Sequence, residues 1–134
     1  MASHEVLDPF VDWLTQSGFA LEQEAGSPGF GDSLQVFGRG LLRIRLLSDR
    51  GQWFLELSSP LLGDNWFDAD LWRAHHAGLE APDNVSSLGD QVDYFRTHMT
   101  DIQIALGSTQ GAEIADSLRG KREARARRRL GLAQ

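Results

Sequence analysis

The sequence predicts an α+β fold: an antiparallel meander sheet of three to four strands, with an N-terminal helix and C-terminal helices packed on one face. Two observations predict it. Strand-like segments are grouped between residues 34 and 57, and helical patterns stand before and after them. A long amphipathic pattern after the strands supplies a helix that can cover the sheet. The length of 134 residues suits one domain with a single core.

The first predicted element is a helix that begins near residue 8. Asp8 is placed to cap it, and Pro9 suits the first helical position, where no backbone N–H is needed. Gly18 is placed to end the helix in the left-handed conformation. Four apolar residues share one face at helical spacing: Leu7, Phe10, Val11 and Leu14. This face predicts contact with the core.

Residues 42–47 alternate apolar side chains with arginine, which predicts a strand with one buried face. The side chains predicted to be buried are Leu42, Ile44 and Leu46, and those predicted to be exposed are Arg43 and Arg45. Further strands are predicted around residues 34–37 and 53–57, with a short one at 19–24. Short turns between the three central segments favour an antiparallel meander.

Three helices are predicted after the strands. The first spans about residues 68–77. Ser87, with Asp90 three residues later, resembles a capping box for the second. The apolar stripe of this second helix is Leu88, Val92, Phe95, Met99, Ile102 and Leu106. A last helix begins near Thr109 and loses its apolar face in the basic end of the chain.

The charge is divided sharply along the chain. Residues 1–118 carry 6 Lys and Arg against 18 Asp and Glu, a net charge of −12, whereas residues 119–134 carry 7 against 1, a net charge of +6. We therefore predict one acidic α+β domain over residues 1–118 and a basic Arg-rich C-terminal tail over residues 119–134. Four interpretations of the tail stay open: a solvated or disordered end, a nucleic-acid contact, a membrane-surface contact, or a segment folded back onto the acidic body.

Composition and motif spacing argue against catalysis. The chain has no cysteine, which excludes thiolate nucleophiles, disulfides and cysteine metal sites. His75 and His76 are adjacent in a predicted helix and point about 100° apart, unlike helical metal ligands three or four residues apart. No apolar segment is long enough to span a membrane, and no signal peptide is evident. We expect a cytoplasmic, non-enzymatic protein with no catalytic residue, metal or cofactor.

A partner-binding surface is predicted where aromatic and acidic residues cluster. Four aromatic residues are dense in this part of the chain: Trp53, Trp66, Phe67 and Trp72. They are interpreted either as core packing or as anchors for a partner. Because an acidic body attracts basic proteins and repels nucleic acid, the expected partner is a protein. The candidate partner-binding residues are Asp64, Trp66, Asp68, Asp70 and Glu56.

Two segments carry a resemblance to a known family. A hairpin over residues 46–57 turns at Asp49-Arg50-Gly51-Gln52, and a helix entry over residues 66–72 begins Trp-Phe-Asp. Together they resemble small actinobacterial immunity-type proteins of polymorphic toxin systems. The resemblance implies a stoichiometric inhibitor that binds the catalytic domain of a toxin and blocks or distorts its active site. Because the body of this chain is acidic, we expect that domain to be basic.

Two functions of different classes therefore stand side by side. The first is a protein–protein binding module that acts as an immunity protein. The alternative is a small acidic secretion or folding chaperone that binds an extended client, because such chaperones also place a helix before a three-stranded sheet and an amphipathic helix after it. Chaperones of this kind are usually dimers, so the oligomeric state separates the two.

Overall fold

The computed structural model describes residues 2–27, 32–62, 65–108 and 111–131. Its helices are α1 (Ala2–Gln16), α2 (Ala69–Ala77), α3 (Leu88–Leu106) and α4 (Gly111–Arg129), with a 3₁₀ turn at Pro60–Leu62. Its strands are β1 (Ala20–Ser27), β2 (Asp32–Arg39), β3 (Leu42–Asp49), β4 (Gln52–Ser58) and β5 (Phe67–Asp68). The predicted α+β order of helix, sheet and helices is confirmed.

The sheet is an antiparallel meander with the order β1-β2-β3-β4-β5. It therefore has one strand more than the three to four predicted. The extra strand, β5, consists of two residues that pair with Glu56 and Leu57 of β4. Two residues are too few to produce the alternation by which a strand is recognised in sequence, and the sequence instead predicts that a helix begins at about Asp68.

The alternation predicted for β3 is confirmed. Its three predicted inward residues have no exposed surface, and its two arginines are partly exposed. Leu55 and Leu57 of β4 join the same apolar cluster, to which α1, α2 and α3 contribute side chains. Phe67 and Trp72 are also fully buried there, so the core-packing interpretation holds for these two aromatic residues.

The start of α1 differs from the prediction. The helix begins at Ala2, so Pro9 lies inside it and Asp8 does not cap it. A proline inside a helix costs a backbone hydrogen bond, but Leu7 and Phe10 on either side of it are buried in the core. Burial of an apolar face that continues upstream of Pro9 thus outweighs the lost bond. Gly18 adopts a φ of 93° just after the helix, as predicted.

The predicted start of α3 is confirmed by its cap. The Oγ of Ser87 accepts a hydrogen bond from the backbone N–H of Asp90 at 3.1 Å. Phe95 on the apolar stripe is fully buried, and its ring lies 6.0 Å from that of Phe10 in an edge-to-face arrangement. This contact fixes α1 on α3.

The basic end of the chain continues α4. The helix runs from Gly111 to Arg129 and packs on α2 and on the 3₁₀ turn. The predicted boundary between an acidic domain and a basic tail, between residues 118 and 119, therefore falls inside one helix. Among the described residues, no helix combines the length and apolar character needed to cross a bilayer.

Candidate partner-binding surfaces

The predicted partner-binding residues gather where β4 runs beside β5. Glu56 lies directly opposite Asp68 in that strand pair, Trp66 immediately precedes β5, and Asp70 lies in the first turn of α2. Asp64 lies outside the described residues. The fold brings the described members close together, but cationic or polar groups of the same chain engage each of the three described carboxylates.

Arg45 lies between Glu56 and Trp66 on the face of the sheet opposite the core. Its Nε donates to Oε1 of Glu56 at 2.7 Å, and its guanidinium carbon stands 4.6 Å from the centroid of the Trp66 ring. The arginine thus pairs with the carboxylate and stacks on the indole. Trp66 is half-buried as a result.

Asp68 is held by an arginine from the basic end of α4. The Nη1 and Nη2 atoms of Arg125 donate to its two carboxylate oxygens at 3.0 and 2.7 Å, a bidentate pair. The two side chains are only 13% and 11% exposed. Burial acts to lower the pKa of Arg125, but the hydrogen bond and charge of Asp68, with further carboxylates nearby, raise it overall. The ion pair therefore stabilises the packing of α4 against the start of α2.

Asp70 is buried, with 2% of its surface exposed. Its oxygens accept hydrogen bonds from the backbone N–H of Ser86 at 3.0 Å and from the Ser86 hydroxyl at 2.6 Å. This carboxylate ties the segment after α2 to the first turn of that helix. It is not available to a partner while the fold is intact.

In the part of the chain that the structure describes, a different acidic surface has carboxylates without a cationic partner, although one of them, Glu24, accepts a hydrogen bond from the side-chain amide of Gln35 at 2.8 Å. An open groove of about 590 Å³ lies between α1 and the β1–β2 hairpin, and its floor includes Leu7, Val11 and Trp53. Its lining also includes the exposed carboxylates Asp8, Asp12 and Glu24. No ion pair found within the described residues involves any of these three acids. We call this surface the acidic groove.

Trp53 joins the acidic groove to a second recess of about 490 Å³, beside β4 and the start of α3. Val6 of α1 lines the second recess, and Leu7 lines the first. The Trp53 side chain is half-buried, while its backbone carbonyl accepts a hydrogen bond from Gln91 at 3.2 Å. Because its backbone is fixed by this hydrogen bond and its indole is half-exposed, Trp53 can contact a partner from a fixed position between the two recesses.

The histidines of α2 and α3 form a ring cluster with Tyr94. His76 shares a hydrogen bond with the Tyr94 hydroxyl, and the His98 ring lies 5.5 Å from His76 and 4.7 Å from Tyr94. His75 faces α4, where its Nδ1 lies 2.8 Å from the hydroxyl of Ser117. Within the ranges that the structure describes, no group of three or more His, Cys, Asp and Glu residues could hold a metal ion.

This cluster predicts a loss of stability in weak acid. Burial, followed by the charges of His75 and His98, lowers the pKa of His76 below its ordinary value of 6.5, against the opposite effect of Asp101. The unfolded chain then takes up the proton more readily, so the free energy of unfolding should fall as the pH drops below 6.5. Urea unfolding at a series of pH values measures this. His76→Asn should make the profile shallower between pH 6.5 and the range in which carboxylates titrate, about pH 4. The remaining slope comes from His75, whose pKa is also lowered, first by burial and then by the charge of Lys121. An unchanged profile would contradict the prediction.

Sequence analysis did not identify the acidic groove. Asp8 and Asp12 are four residues apart and so share a face of α1, which was a usable signal. Nothing local, however, shows that this face borders Glu24, because that contact depends on how α1 sits against the β1–β2 hairpin. Trp53 was singled out only as one of four clustered aromatic residues.

Comparison with known proteins finds no matching family model, no matching curated protein and no matching solved structure. The class that the fold and the site define is an α+β protein with a five-stranded meander, helices over one face and an acidic groove beside α1. The resemblance to immunity-type proteins stays a prediction.

Proposed function

We propose that this chain is a non-enzymatic, cytoplasmic protein-binding module of the immunity type, and that it captures a basic toxin domain. The observation that carries the proposal is the acidic groove, in which carboxylates without cationic partners surround an apolar floor and a half-exposed tryptophan. Aromatic anchors with a charged rim are typical of tight protein interfaces.

The groove suits a segment that presents both lysine or arginine and apolar side chains. Leu7, Val11 and Trp53 offer apolar contact, while Asp8 and Asp12 stand one helical turn apart on the rim. Domains that cut nucleic acid need basic clefts, and an acidic protein can associate quickly with such a cleft. Binding in the cleft would block access of the nucleic-acid substrate.

A charge reversal at the rim tests this proposal. If a neighbouring gene encodes a toxin-like domain that this chain binds, Asp12→Lys should weaken that binding by about tenfold or more, mostly through slower association at low salt. Asp93→Lys is the matched control, because Asp93 is also an exposed helical carboxylate and lies on α3, away from the groove lining. Surface plasmon resonance at two salt concentrations measures both rates.

Two outcomes would contradict the proposal. One is the absence of a complex with any neighbouring gene product at micromolar concentration. The other is equal weakening by Asp12→Lys and Asp93→Lys, which would assign the effect to net charge rather than to the groove. A dimer that binds only an extended, unfolded client would instead favour the chaperone function, and light scattering of the free chain would reveal it.

A further inference from the structure

The two halves of α4 are held in different ways. In the first half, Ile114, Ala115 and Leu118 are buried in the apolar core. In the described part of the chain after Gly120, Arg125 is the one buried side chain, and it is buried as an ion pair. The first half is therefore fixed by apolar packing, and the second half mainly by polar contacts.

These polar contacts are numerous and specific. Besides the bidentate pair of Arg125 with Asp68, Lys121 donates to the carbonyl oxygen of Leu79 at 2.6 Å. The Nε of Arg128 donates to Asp83 at 2.9 Å, and Arg129 donates to the carbonyl oxygen of Asp83 at 2.8 Å. Arg128 also bonds the carbonyl oxygen of Ala81 and lies 3.5 Å from a carboxylate oxygen of Glu80. We call the acceptor set the arginine-binding surface; its members are Asp68, Glu80, Asp83 and the carbonyl groups of Leu79, Ala81 and Asp83.

Gly120 stands at the junction of the two halves. Glycine is a poor helix former in a helix interior, and a Cβ at Gly120 would meet no atom within 4 Å. Packing therefore does not require a glycine here. Its effect is to weaken the helix where apolar anchoring ends, so the polar half can detach without disturbing Leu118 and its neighbours.

We propose that the arginine-binding surface is a docking site for an arginine-rich helical segment of a partner protein, which residues 121–129 of this chain occupy in the free state. Charge complementarity supports this occupant: the surface already holds one arginine-rich helix by bidentate, carboxylate and carbonyl contacts. A partner helix of the same chemistry takes these acceptors when the second half of α4 moves away. This site is separate from the acidic groove, so it extends the proposed function rather than restating it.

A peptide with the sequence of residues 119–131 is the probe, labelled with fluorescein and added to the full chain. Because the resident helix competes, the wild-type chain should bind it weakly. Arg125→Gln and Arg128→Gln weaken the resident helix, and each should raise the affinity by about tenfold at low salt, with the gain reduced at high salt. Gly120→Ala should stiffen the helix and lower the affinity below that of the wild type. Fluorescence anisotropy measures the binding.

Controls separate this surface from general attraction to an acidic protein. A peptide with glutamine in place of every arginine should not bind. Adding Asp68→Asn and Asp83→Asn to the Arg128→Gln chain should abolish binding, whereas adding Asp12→Lys should leave it unchanged, which keeps the result independent of the acidic groove. Arg128 is the more exposed of the two arginines, so replacing it disturbs the fold less. If Arg125→Gln unfolds the chain, the Arg128→Gln variant alone is used for the test.

Three results would overturn the proposal. The first is equal binding of the arginine and glutamine peptides to the Arg128→Gln chain. The second is binding that survives loss of Asp68 and Asp83 carboxylates. The third is concentration-dependent dimerisation of the Arg128→Gln chain without peptide binding, which would assign the surface to exchange of α4 between two copies of this protein.

Discussion

Replacing Phe95 by alanine is expected to lower the free energy of unfolding by about 4 kcal/mol. Phe95 has no exposed surface and stands among three aromatic rings, those of Phe10, Trp13 and Phe19, at centroid distances of 6.0, 6.1 and 6.3 Å. Removing the ring leaves a cavity and ends three edge-to-face contacts at once. Chemical denaturation followed by tryptophan fluorescence measures the change, because Trp13 reports on the cluster directly.

Two comparisons give this prediction its control. The leucine of Phe95→Leu fills more of the cavity. This variant should lower the free energy of unfolding by less than half as much as the alanine variant does. Since Phe95 fixes α1 on α3, the alanine variant should also release α1 and weaken binding at the acidic groove, whereas a change at the exposed Ile104 of the same helix should not. A loss of less than about 1 kcal/mol for Phe95→Ala would show that the aromatic cluster does not hold α1.

Elements with strong local periodicity were predictable from sequence. The alternation in β3 and the stripe of α3 each repeat over several residues, so burial of one face identifies the element and its orientation. The cap of α3 is likewise local, since Ser87 and Asp90 lie within one turn. Two features lacked such signals: β5 is too short to alternate, and α1 extends past Pro9 because tertiary burial overrides the local preference.

The site was less predictable, because net charge does not show which charges are already paired. The fold brings the described acidic residues near β5 together, but Asp68 finds its partner 57 positions away, in Arg125. Asp70 lies at a helix start, where an exposed carboxylate is expected, yet the segment after α2 folds over it. Counting charges along the sequence therefore favoured carboxylates that have partners in the folded chain, and it overlooked those of the acidic groove.

The second large loss of stability is expected on replacing Gln91, because its side chain forms hydrogen bonds with backbone groups at the edge of β4. β5 pairs with Glu56 and Leu57 and leaves the preceding part of that edge without a strand neighbour among the described residues. There the Oε1 of Gln91 accepts from the N–H of Leu55 at 2.7 Å, and its Nε2 donates to the carbonyl groups of Trp53 and Ser86 at 3.2 and 2.8 Å. One buried amide thus takes the place of a strand.

Gln91→Leu should lower the free energy of unfolding by about 3 kcal/mol, since the leucine has a similar size but removes the hydrogen-bond partner of the Leu55 N–H and of the carbonyl groups of Trp53 and Ser86. Gln16→Leu, at the exposed end of α1, is the matched control and should change stability by less than about 0.5 kcal/mol. Hydrogen exchange adds a local test, because the Leu55 amide should lose protection in Gln91→Leu more than its neighbours bonded to β3. If the Leu55 amide stays protected, another group must accept its hydrogen bond. That result would also contradict the claim that Gln91 holds the backbone of Trp53 between the two recesses.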